Sequence, residues 1–393
     1  MPEYRVSILR DAEEIEAAKE NLAPFERHPN ADIELFLSRF TDSESDSRPC
    51  VLVVFHDGHA QGMLLGMLHT VTLDLRVGYK AVLSPRVRML SVAPGAIQGA
   101  LDGAAAEALM DELMAFLRRG EADTVRILDL DEDADIALLA KRRPGPLCRD
   151  HAPWSGRHYA MALPESADAF YRQMKEKHRR PLRKACRLVE QDNPEGMSYR
   201  MFSRPDEVEE FAHDAEIVAQ KTYQRHLGAS FVNNAAMRRW LQILAERGQW
   251  RGYLLSVGAQ PCAYWVGWLY GDAFYVSYAG HDPAFRDFNP GAGTILLAKM
   301  IEDLCEHTDA RVADFGPGDY AYKRRFCDSS KQTVTLLIFA PTWFGVRVNA
   351  LRTVLSWIGK GASALLGRLG VRDRIRRYWR KRLGEKGVGG RRG

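Results

Sequence analysis

Short apolar runs separated by turn residues recur in both halves of the chain and predict strands. In the first half, Asp57-Gly58 is a hairpin turn signal between two such runs. A later stretch has apolar residues at intervals of three and four, the spacing of a helix buried on one face. The pattern predicts strands at 51–55, 61–70 and 88–92, a helix at 103–117 and a strand at 125–128.

The second half repeats this order of elements. Gly258 to Pro261 is the turn of a hairpin, and Gly291-Ala292-Gly293 is a turn that opens a helix. The pattern predicts strands at 250–257, 262–269 and 273–278, a helix at 294–304, and strands at 312–315 and 333–339. Hairpin strands, a central strand, a helix and another strand thus occur twice, which indicates a duplicated α/β unit.

A basic helix is predicted between the halves, over residues 167–190, with Pro181 expected to kink or split it. Amphipathic helices are predicted at 206–225 and 235–247. The tail from Trp343 alternates apolar and basic residues at helical spacing, and its last residues, 387–393, have the composition of a disordered segment. We therefore predict domains at 1–150 and 151–340, followed by a basic helix and tail at 341–393.

Composition agrees with a globular cytoplasmic protein. The chain has 393 residues, of which 46% are hydrophobic and 27% charged. Its six cysteines are scattered without a C-x-x-C pair, which argues against a zinc site and a disulfide framework. The N-terminus has no apolar signal core, and no window reaches the roughly 20 apolar residues that span a bilayer.

Charge is distributed unevenly along the chain. From Trp343 onward there are 14 Lys and Arg against 2 Asp and Glu, a net charge of +12. The whole chain carries +4, so the rest carries −8. A basic tail on an acidic body suggests an anionic partner, either membrane lipid or nucleic acid. Trp343, Trp357 and Trp379 could then act as interfacial anchors. A helix packed against the body, with a disordered basic end, is the alternative.

The stretch 278–326 carries the candidate chemistry. The glycine turn at Gly291, Ala292 and Gly293 opens a helix, whose free N–H groups and dipole favour an anion such as a pyrophosphate. Asp314 ends a predicted strand, where sites on open α/β sheets lie, and it could accept a proton from an amine. The alternatives are structural: a tight strand-to-helix turn for the glycines and a turn or capping residue for Asp314.

Further candidates follow in the same stretch. Asp319 lies in a glycine-flanked loop, and Lys323 could neutralise a phosphate or a developing oxyanion. His281 could act as a base, although a loop histidine is more often incidental. The basic helix could bind an anionic donor or acceptor. Solvated surface positions are the alternative for all of these residues.

The motifs of several enzyme classes are missing. The sequence contains no Ser-His-Asp order, Walker loop, H-E-x-x-H motif or strand-bound G-x-G-x-x-G. Hydrolase, P-loop and dinucleotide-binding functions are therefore disfavoured.

Taken together, these residues resemble the GNAT superfamily, in its CelD-like or BioF-associated acetyltransferase branch, and more distantly the Fem-type aminoacyl transferases. The resemblance covers residues 150–340, and the first 150 residues match only as a degenerate copy. It rests on motifs that run through the second half: Gly280-His281-Asp282-Pro283, Pro290-Gly291, Asp314-Phe315, Gly318-Asp319 and Tyr322-Lys323.

The resemblance implies tandem GNAT-type mixed sheets flanked by helices, an α/β fold of the α+β GNAT-like kind. It also implies an acyl donor in a cleft of the splayed sheet, with acyl-CoA, expected to be acetyl-CoA, as donor and no metal. The residues assigned to the donor are Gly291, Ala292, Gly293, Tyr278 and Arg286. Phe288 occupies the leading position of the coenzyme A pattern, where Gln or Arg is usual, and Arg286 is out of register.

The remaining assignments follow from the same resemblance. Asp314, Asp319 and Lys323 are the catalytic candidates, and Tyr322, Arg325 and His281 are assigned to the substrate. The function implied is N-acyl transfer to an amine on a sugar or lipid-linked precursor, in exopolysaccharide, cellulose or cell-envelope synthesis. The expected location is cytoplasmic, with attachment of the tail to the inner membrane. The alternatives are Fem-type transfer from aminoacyl-tRNA and an inactive scaffold of a polysaccharide synthase, docked on the membrane.

Overall fold

The computed structural model describes residues 4–40, 46–77, 80–189, 196–222, 225, 230–285 and 290–368. Within them the chain forms two compact units. Of the described residues, the first unit contains those from 4 to 158 and from 331 to 368, and the second contains those from 159 to 330. The predicted division at 1–150, 151–340 and 341–393 stays a prediction.

The first unit is a mixed sheet flanked by helices. Its strands lie in the order β1-β2-β3-β6-β7-β14, and β4 and β5 form a separate ribbon. The strands are β1 (Tyr4–Leu9), β2 (Arg48–His56), β3 (His59–Thr72), β4 (Leu75–Val77), β5 (Lys80–Leu83), β6 (Arg86–Gly99), β7 (Thr124–Asp131) and β14 (Ser329–Phe339). The helices are α1 (Ala12–Ala17), α2 (Lys19–Leu22), α3 (Ile33–Leu37), α4 (Gly103–Arg118), α5 (Asp135–Arg142) and α12 (Trp343–Arg368).

The second unit has the same kind of architecture. Its strands follow the order β8-β13-β12-β11-β10-β9. They are β8 (Trp154–Ala162), β9 (Met197–Phe202), β10 (Trp250–Val257), β11 (Gln260–Tyr270), β12 (Ala273–His281) and β13 (Val312–Pro317). Its helices are α6 (Ala167–Arg172), α7 (Glu176–Leu188), α8 (Val208–Ala219), α9 (Ala235–Glu246), α10 (Ala292–His307) and α11 (Ala321–Phe326).

Both units contain a parallel strand pair joined by a helix of 16 residues. In the first unit α4 connects β6 to β7, and in the second α10 connects β12 to β13. The remaining neighbours with a described register are antiparallel, as hairpins and meanders require. The repeat of strand, helix and parallel strand confirms the duplicated element order and the α/β fold class predicted from the sequence.

The central strands are buried because helices cover them. In the second unit β11 runs as an almost uninterrupted apolar segment, and nearly all of its residues are buried. The apolar stripe of α10 packs on that sheet through Ile295, Met300 and Leu304. In the first unit Leu109, Leu113 and Phe116 of α4 play the same part. Each unit therefore has its own hydrophobic core.

The split that the sequence predicts at Pro181 occurs elsewhere, and the alternative, a kink at Pro181, stays a prediction. The basic segment is divided into α6 and α7 at residues 173–175, and α7 continues through Pro181 as helix. Pro181 lies in the second turn of α7, and the helix continues although proline cannot donate the main-chain hydrogen bond at this position. Leu182 and Cys186 turn toward the core and hold α7 in place. The tail residues 369–393, with Trp379 and the predicted disordered end, lie outside the described residues.

Candidate functional site

The parallel strands β12 and β13 separate part-way along their length. Their register covers only Ala273–Tyr275 against Val312–Asp314, although β12 continues to His281 and β13 to Pro317. On its other side β12 remains paired with β11 up to His281, with a bulge between Val276 and Tyr278. Because main-chain groups of a strand alternate between its two neighbours, half of those beyond Tyr275 point into the opening.

The helix α10 begins beside the end of β12. Gly291 is its N-cap and forms no side-chain capping bond. The N–H groups of Thr294 and Ile295 are bonded to the carbonyl of Gly291. The N–H groups of Ala292 and Gly293 precede them in the first turn, where a helix has no main-chain acceptors of its own and its dipole is positive. A Cβ on Gly293 would lie 3.7 Å from His281 Nδ1, so the first turn and the end of β12 are neighbours.

Aromatic side chains line the helix-covered face of this opening. Trp265 on β11 donates from Nε1 to the carbonyl of Gly293 at 3.4 Å. Its ring meets the rings of Tyr322 and Phe315 edge-on, with centroids 5.5 and 6.1 Å away. These three rings therefore connect the first turn of α10 with the end of β13 and the start of α11.

Asp314 faces the opposite side of the sheet. Its neighbours Ala313 and Phe315 are buried in the core under α10, and successive side chains of a strand point to opposite faces. The Oδ1 atom of Asp314 accepts the N–H of Gly316 at 2.7 Å, which fixes the carboxylate at the point where the strands part. Burial, with the charge of Asp314 as the next cause, raises the pKa of the paired Tyr275 to about 12.

Lys323 is buried, with 3% of its surface exposed. Its Nζ donates to three main-chain carbonyls, those of Phe315, Gly316 and Pro317, at 2.6, 2.9 and 2.8 Å. The ammonium group therefore holds together the three carbonyls at the C-terminal end of β13. The arrangement favours a positioning role for Lys323, and its predicted contact with a phosphate or oxyanion stays a prediction.

Asp319 lies at the surface of the loop that follows β13. It accepts the hydroxyl of Tyr159 at 2.8 Å and pairs with Arg324 at 2.6 Å. Arg325 is exposed, and its guanidinium lies 5.2 Å from the ring centre of Phe326. The carboxylate of Asp319 is thus engaged in an ion pair and a hydrogen bond, and the catalytic role predicted for Asp319 stays a prediction.

The end of β12 carries two further titratable groups. His281 lies next to the first turn of α10. Burial of part of its ring lowers its pKa, and the charge of Asp282 opposes this shift. The imidazole is therefore neutral at pH 7. Asp282 is buried and pairs with Lys221 at 2.7 Å, and it also accepts the N–H of Ala284. This ion pair anchors the strand end.

The other assigned residues are distributed as follows. Tyr278 lies on the Asp314 side of β12, and its ring packs edge-on against Phe231. Arg286 and Phe288 lie outside the described residues. Among the described residues no group of three or more potential ligands could hold a metal ion. The structure therefore brings Asp314, Tyr322, His281 and the first turn of α10 to one opening.

The corresponding helix terminus of the first unit is already occupied. There the carboxylate of Asp135, the first residue of α5, accepts the N–H of Gly103 at 2.6 Å. Gly103 is the first residue of α4, so a side chain of the chain itself fills the position that an anionic ligand would take. The two units differ at this point although their elements match.

Residues 176–324 match the model of the acetyltransferase (GNAT) domain family. The match spans the basic helix, the split strands, α10 and most of α11. This part of the chain is a GNAT acetyltransferase domain. The enzyme class that follows is acyltransferase. No match was found among curated proteins.

Solved structures with similar folds include FemX, which is 12% identical, with 84% of this chain and 96% of that chain covered and a TM-score of 0.49. A tandem GNAT protein from the clavulanic acid biosynthesis pathway is 13% identical, with 86% and 99% covered and a TM-score of 0.49. The C-terminal domain of a putative lysylphosphatidylglycerol synthetase from Agrobacterium fabrum is 12% identical, with 88% and 96% covered and a TM-score of 0.46. Scores this low support no conclusion about the chain's substrate.

Several residues around the opening were not assigned a role from the sequence. Strand pairing and helix packing bring Trp265 and the Lys221–Asp282 pair to the opening, and Tyr159 to the loop after β13. A local sequence pattern does not show such contacts between distant residues. Asp282 had one usable signal, because an aspartate before proline at a strand end is typical of a turn. In the sequence, Trp265 is indistinguishable from an aromatic residue of the hydrophobic core, because it lies within an apolar strand.

Proposed function

We propose that the second unit transfers an acyl group from acyl-CoA, with acetyl-CoA as the expected donor, to an amine on a polysaccharide or cell-envelope precursor. The observation that carries this proposal is the separation of β12 from β13 beside a helix terminus that has no side-chain cap among the described residues. The opening offers unpaired strand groups to a thioester carbonyl, and the terminus offers N–H donors to a pyrophosphate.

The chemistry needs one proton acceptor. The amine attacks the thioester carbonyl, the C–N bond forms, the C–S bond breaks, and coenzyme A leaves as the thiolate. Asp314 is the group we assign to take the amine proton, since its carboxylate is fixed where the strands part. Asp319 is the less suitable base because it is shared between Arg324 and Tyr159. The neutral His281 would donate its ring N–H to a phosphate oxygen of the donor, because it lies beside the first turn of α10.

The remaining assigned residues shape this cleft. Gly291, Ala292 and Gly293 would bind the pyrophosphate, and Tyr322 and Tyr278 would flank the acyl group from opposite faces. Lys323 would hold the end of β13 away from β12. Arg325 is an exposed cation at the rim for an anionic substrate. We assign activity to the second unit alone, because Asp135 fills the corresponding terminus of the first.

A second candidate function is Fem-type transfer from aminoacyl-tRNA, and the basic face of α7 favours it. A groove of about 460 Å³ runs along this helix. Besides Glu176 and Leu188 it is lined by five basic side chains: Arg179, Arg180, Arg183, Lys184 and Arg187. Within the described part of the chain, Arg183 pairs with Asp168, and the other four have no carboxylate partner. Such a stripe suits a chain of phosphates.

Calorimetry with the purified full-length protein separates these functions. Saturable one-to-one heat with acetyl-CoA supports the coenzyme A-dependent function. The tRNA hypothesis predicts no such heat, and instead a complex with aminoacyl-tRNA whose affinity falls steeply with salt. If neither donor binds, the proposal fails and the scaffold hypothesis takes its place. Where acetyl-CoA does bind, the acceptor is sought by following the release of the coenzyme A thiol with amine-bearing sugars.

A further inference from the structure

The helix α12 exposes an apolar face to solvent. Six large apolar side chains of this helix are exposed to solvent: Trp343, Phe344, Leu351, Val354, Trp357 and Ile358. Trp343 is 78% exposed and Trp357 61%. In a helix that packs on a globular body, such side chains normally face the core. The exposed face of α12 is thus the one that a water-soluble protein would bury.

The side of α12 that faces the first unit buries Val348 in a small apolar cluster and makes its other contacts through polar groups. Asn349 is 2% exposed and donates to the carbonyls of Leu147 and Arg149, both at 2.9 Å. Arg352 pairs with Asp150 and donates to the carbonyl of Ala152 at 2.8 Å. Asn349 Oδ1 is buried without a hydrogen-bond partner among the described residues. These directional bonds fix which face of the helix points outward.

The exposed side chains form one continuous face. At 3.6 residues per turn they fall within an arc of about 140°, which Ala350 and Arg347 complete. This arc is wider than the two-position seam of a coiled coil, and it carries two tryptophans, so it does not resemble a helix-pairing surface. Tryptophan and arginine side chains are instead typical of helices that lie at the boundary between lipid and water.

Charge identifies the kind of surface that this face fits. The segment 343–368 contains four Lys and Arg and no Asp or Glu, and the chain from Trp343 onward carries +12. Arg347 lies within the apolar face and stacks on Trp343, 6.0 Å from its ring centre. No helix in the described part of the chain is long and apolar enough to cross a membrane. The combination favours a helix lying in the plane of a bilayer.

We propose that α12 docks the protein on the surface of a membrane containing anionic lipid. Trp343, Phe344, Leu351, Val354, Trp357 and Ile358 enter the headgroup and acyl boundary, and Arg347 meets lipid phosphates. The contacts of Asn349 and Arg352 keep the helix on the first unit with this face outward. The proposal is independent of acyl transfer, because lipid binding needs neither donor nor acceptor.

Co-sedimentation of the full-length protein with vesicles tests the proposal. We expect it to pellet with vesicles of phosphatidylcholine mixed with phosphatidylglycerol, and much less with phosphatidylcholine alone. The triple variant Leu351→Ser, Val354→Ser, Ile358→Ser should bind at least about tenfold more weakly, because three membrane-inserted apolar groups are lost. These side chains are exposed, so the variant should unfold at the same urea concentration as the wild type.

A matched control carries Leu188→Ser and Val232→Ser, which are exposed apolar residues in the second unit. This control should bind vesicles as the wild type does. Arg347→Glu should weaken binding to the anionic vesicles by roughly tenfold and leave binding to phosphatidylcholine unchanged. Undiminished binding of the triple variant overturns the proposal. So does a concentration-dependent dimer that the triple variant loses while neither protein binds vesicles, since α12 would then cover a second copy.

Discussion

Replacing Lys323 with methionine should separate a structural from a chemical role. The substitution keeps the length of the side chain and removes the ammonium that binds the carbonyls of Phe315, Gly316 and Pro317. We expect the end of β13 to relax toward β12, so that the opening narrows. Both stability and donor binding should then fall together.

The magnitude follows from how deeply each carbonyl is buried. A hydrogen bond to a charged group contributes about 1.5–3 kcal/mol, but a buried ammonium costs several kcal/mol in lost hydration. In the variant the buried carbonyl of Phe315 loses the ammonium donor, at about 1–3 kcal/mol. The carbonyls of Gly316 and Pro317 lie nearer the surface and can bind water instead. We therefore expect a loss of about 2–4 kcal/mol in the free energy of unfolding.

Urea unfolding and acetyl-CoA calorimetry on Lys323→Met measure the two effects. Lys331→Met is the matched control, because Lys331 is 57% exposed and lies 3.7 Å from Asp131; its effect should stay within about 0.5 kcal/mol. An unchanged unfolding midpoint with unchanged donor affinity but lost turnover would refute the positioning argument. The ammonium would then act on the reacting atoms, as the sequence suggested.

Three further predictions concern other groups. Asp314→Asn, which keeps the acceptor atom for Gly316, should lower kcat by about 10²–10⁴-fold and leave acetyl-CoA affinity unchanged; a rate near that of the wild type would exclude Asp314 as the base. Burial and, next, Arg126 lower the pKa of His69, so its stability contribution is complete above about pH 6.5 and declines as the pH falls below it. The melting temperature of His69→Gln should therefore fall less between pH 7 and 5 than that of the wild type, and parallel curves would contradict this. Burial raises the thiol pKa of Cys50 and Cys262 to about 12, so both should react with thiol reagents only on unfolding, and rapid labelling of either in the native protein would be inconsistent with the structure.

The sequence predicts most of the elements around the site because their signals are local. Strand β10 was predicted with both ends correct, and the helix after the glycine turn only gained residues at each end. Strands β1, β8 and β9 were not predicted, although Tyr4–Leu9 and Met197–Phe202 alternate apolar and polar residues, so that a strand signal was present in the sequence. Pro181 shows the limit of a rule based on one residue, since α7 continues through it and is held on the core by Leu182 and Cys186.

The site itself was only partly predictable. Asp314 and the glycine turn could be located because strand ends and helix starts carry their own signals. The environment of Lys323 could not, because its three carbonyl partners lie six to eight residues earlier and meet it only when α11 folds back under β13. The separation of β12 from β13 depends on strand register, which the sequence does not encode locally.

The central claim is that the donor's pyrophosphate binds at the first turn of α10, and two nearly isosteric variants test it most directly. A Cβ at Gly293 has only ordinary contacts, so Gly293→Asp and Gly293→Asn both fit and differ essentially in charge. Titration calorimetry with coenzyme A should show the Asp variant binding at least about tenfold more weakly than the Asn variant, because a carboxylate there repels the phosphates. Equal affinities for the two variants would contradict the account.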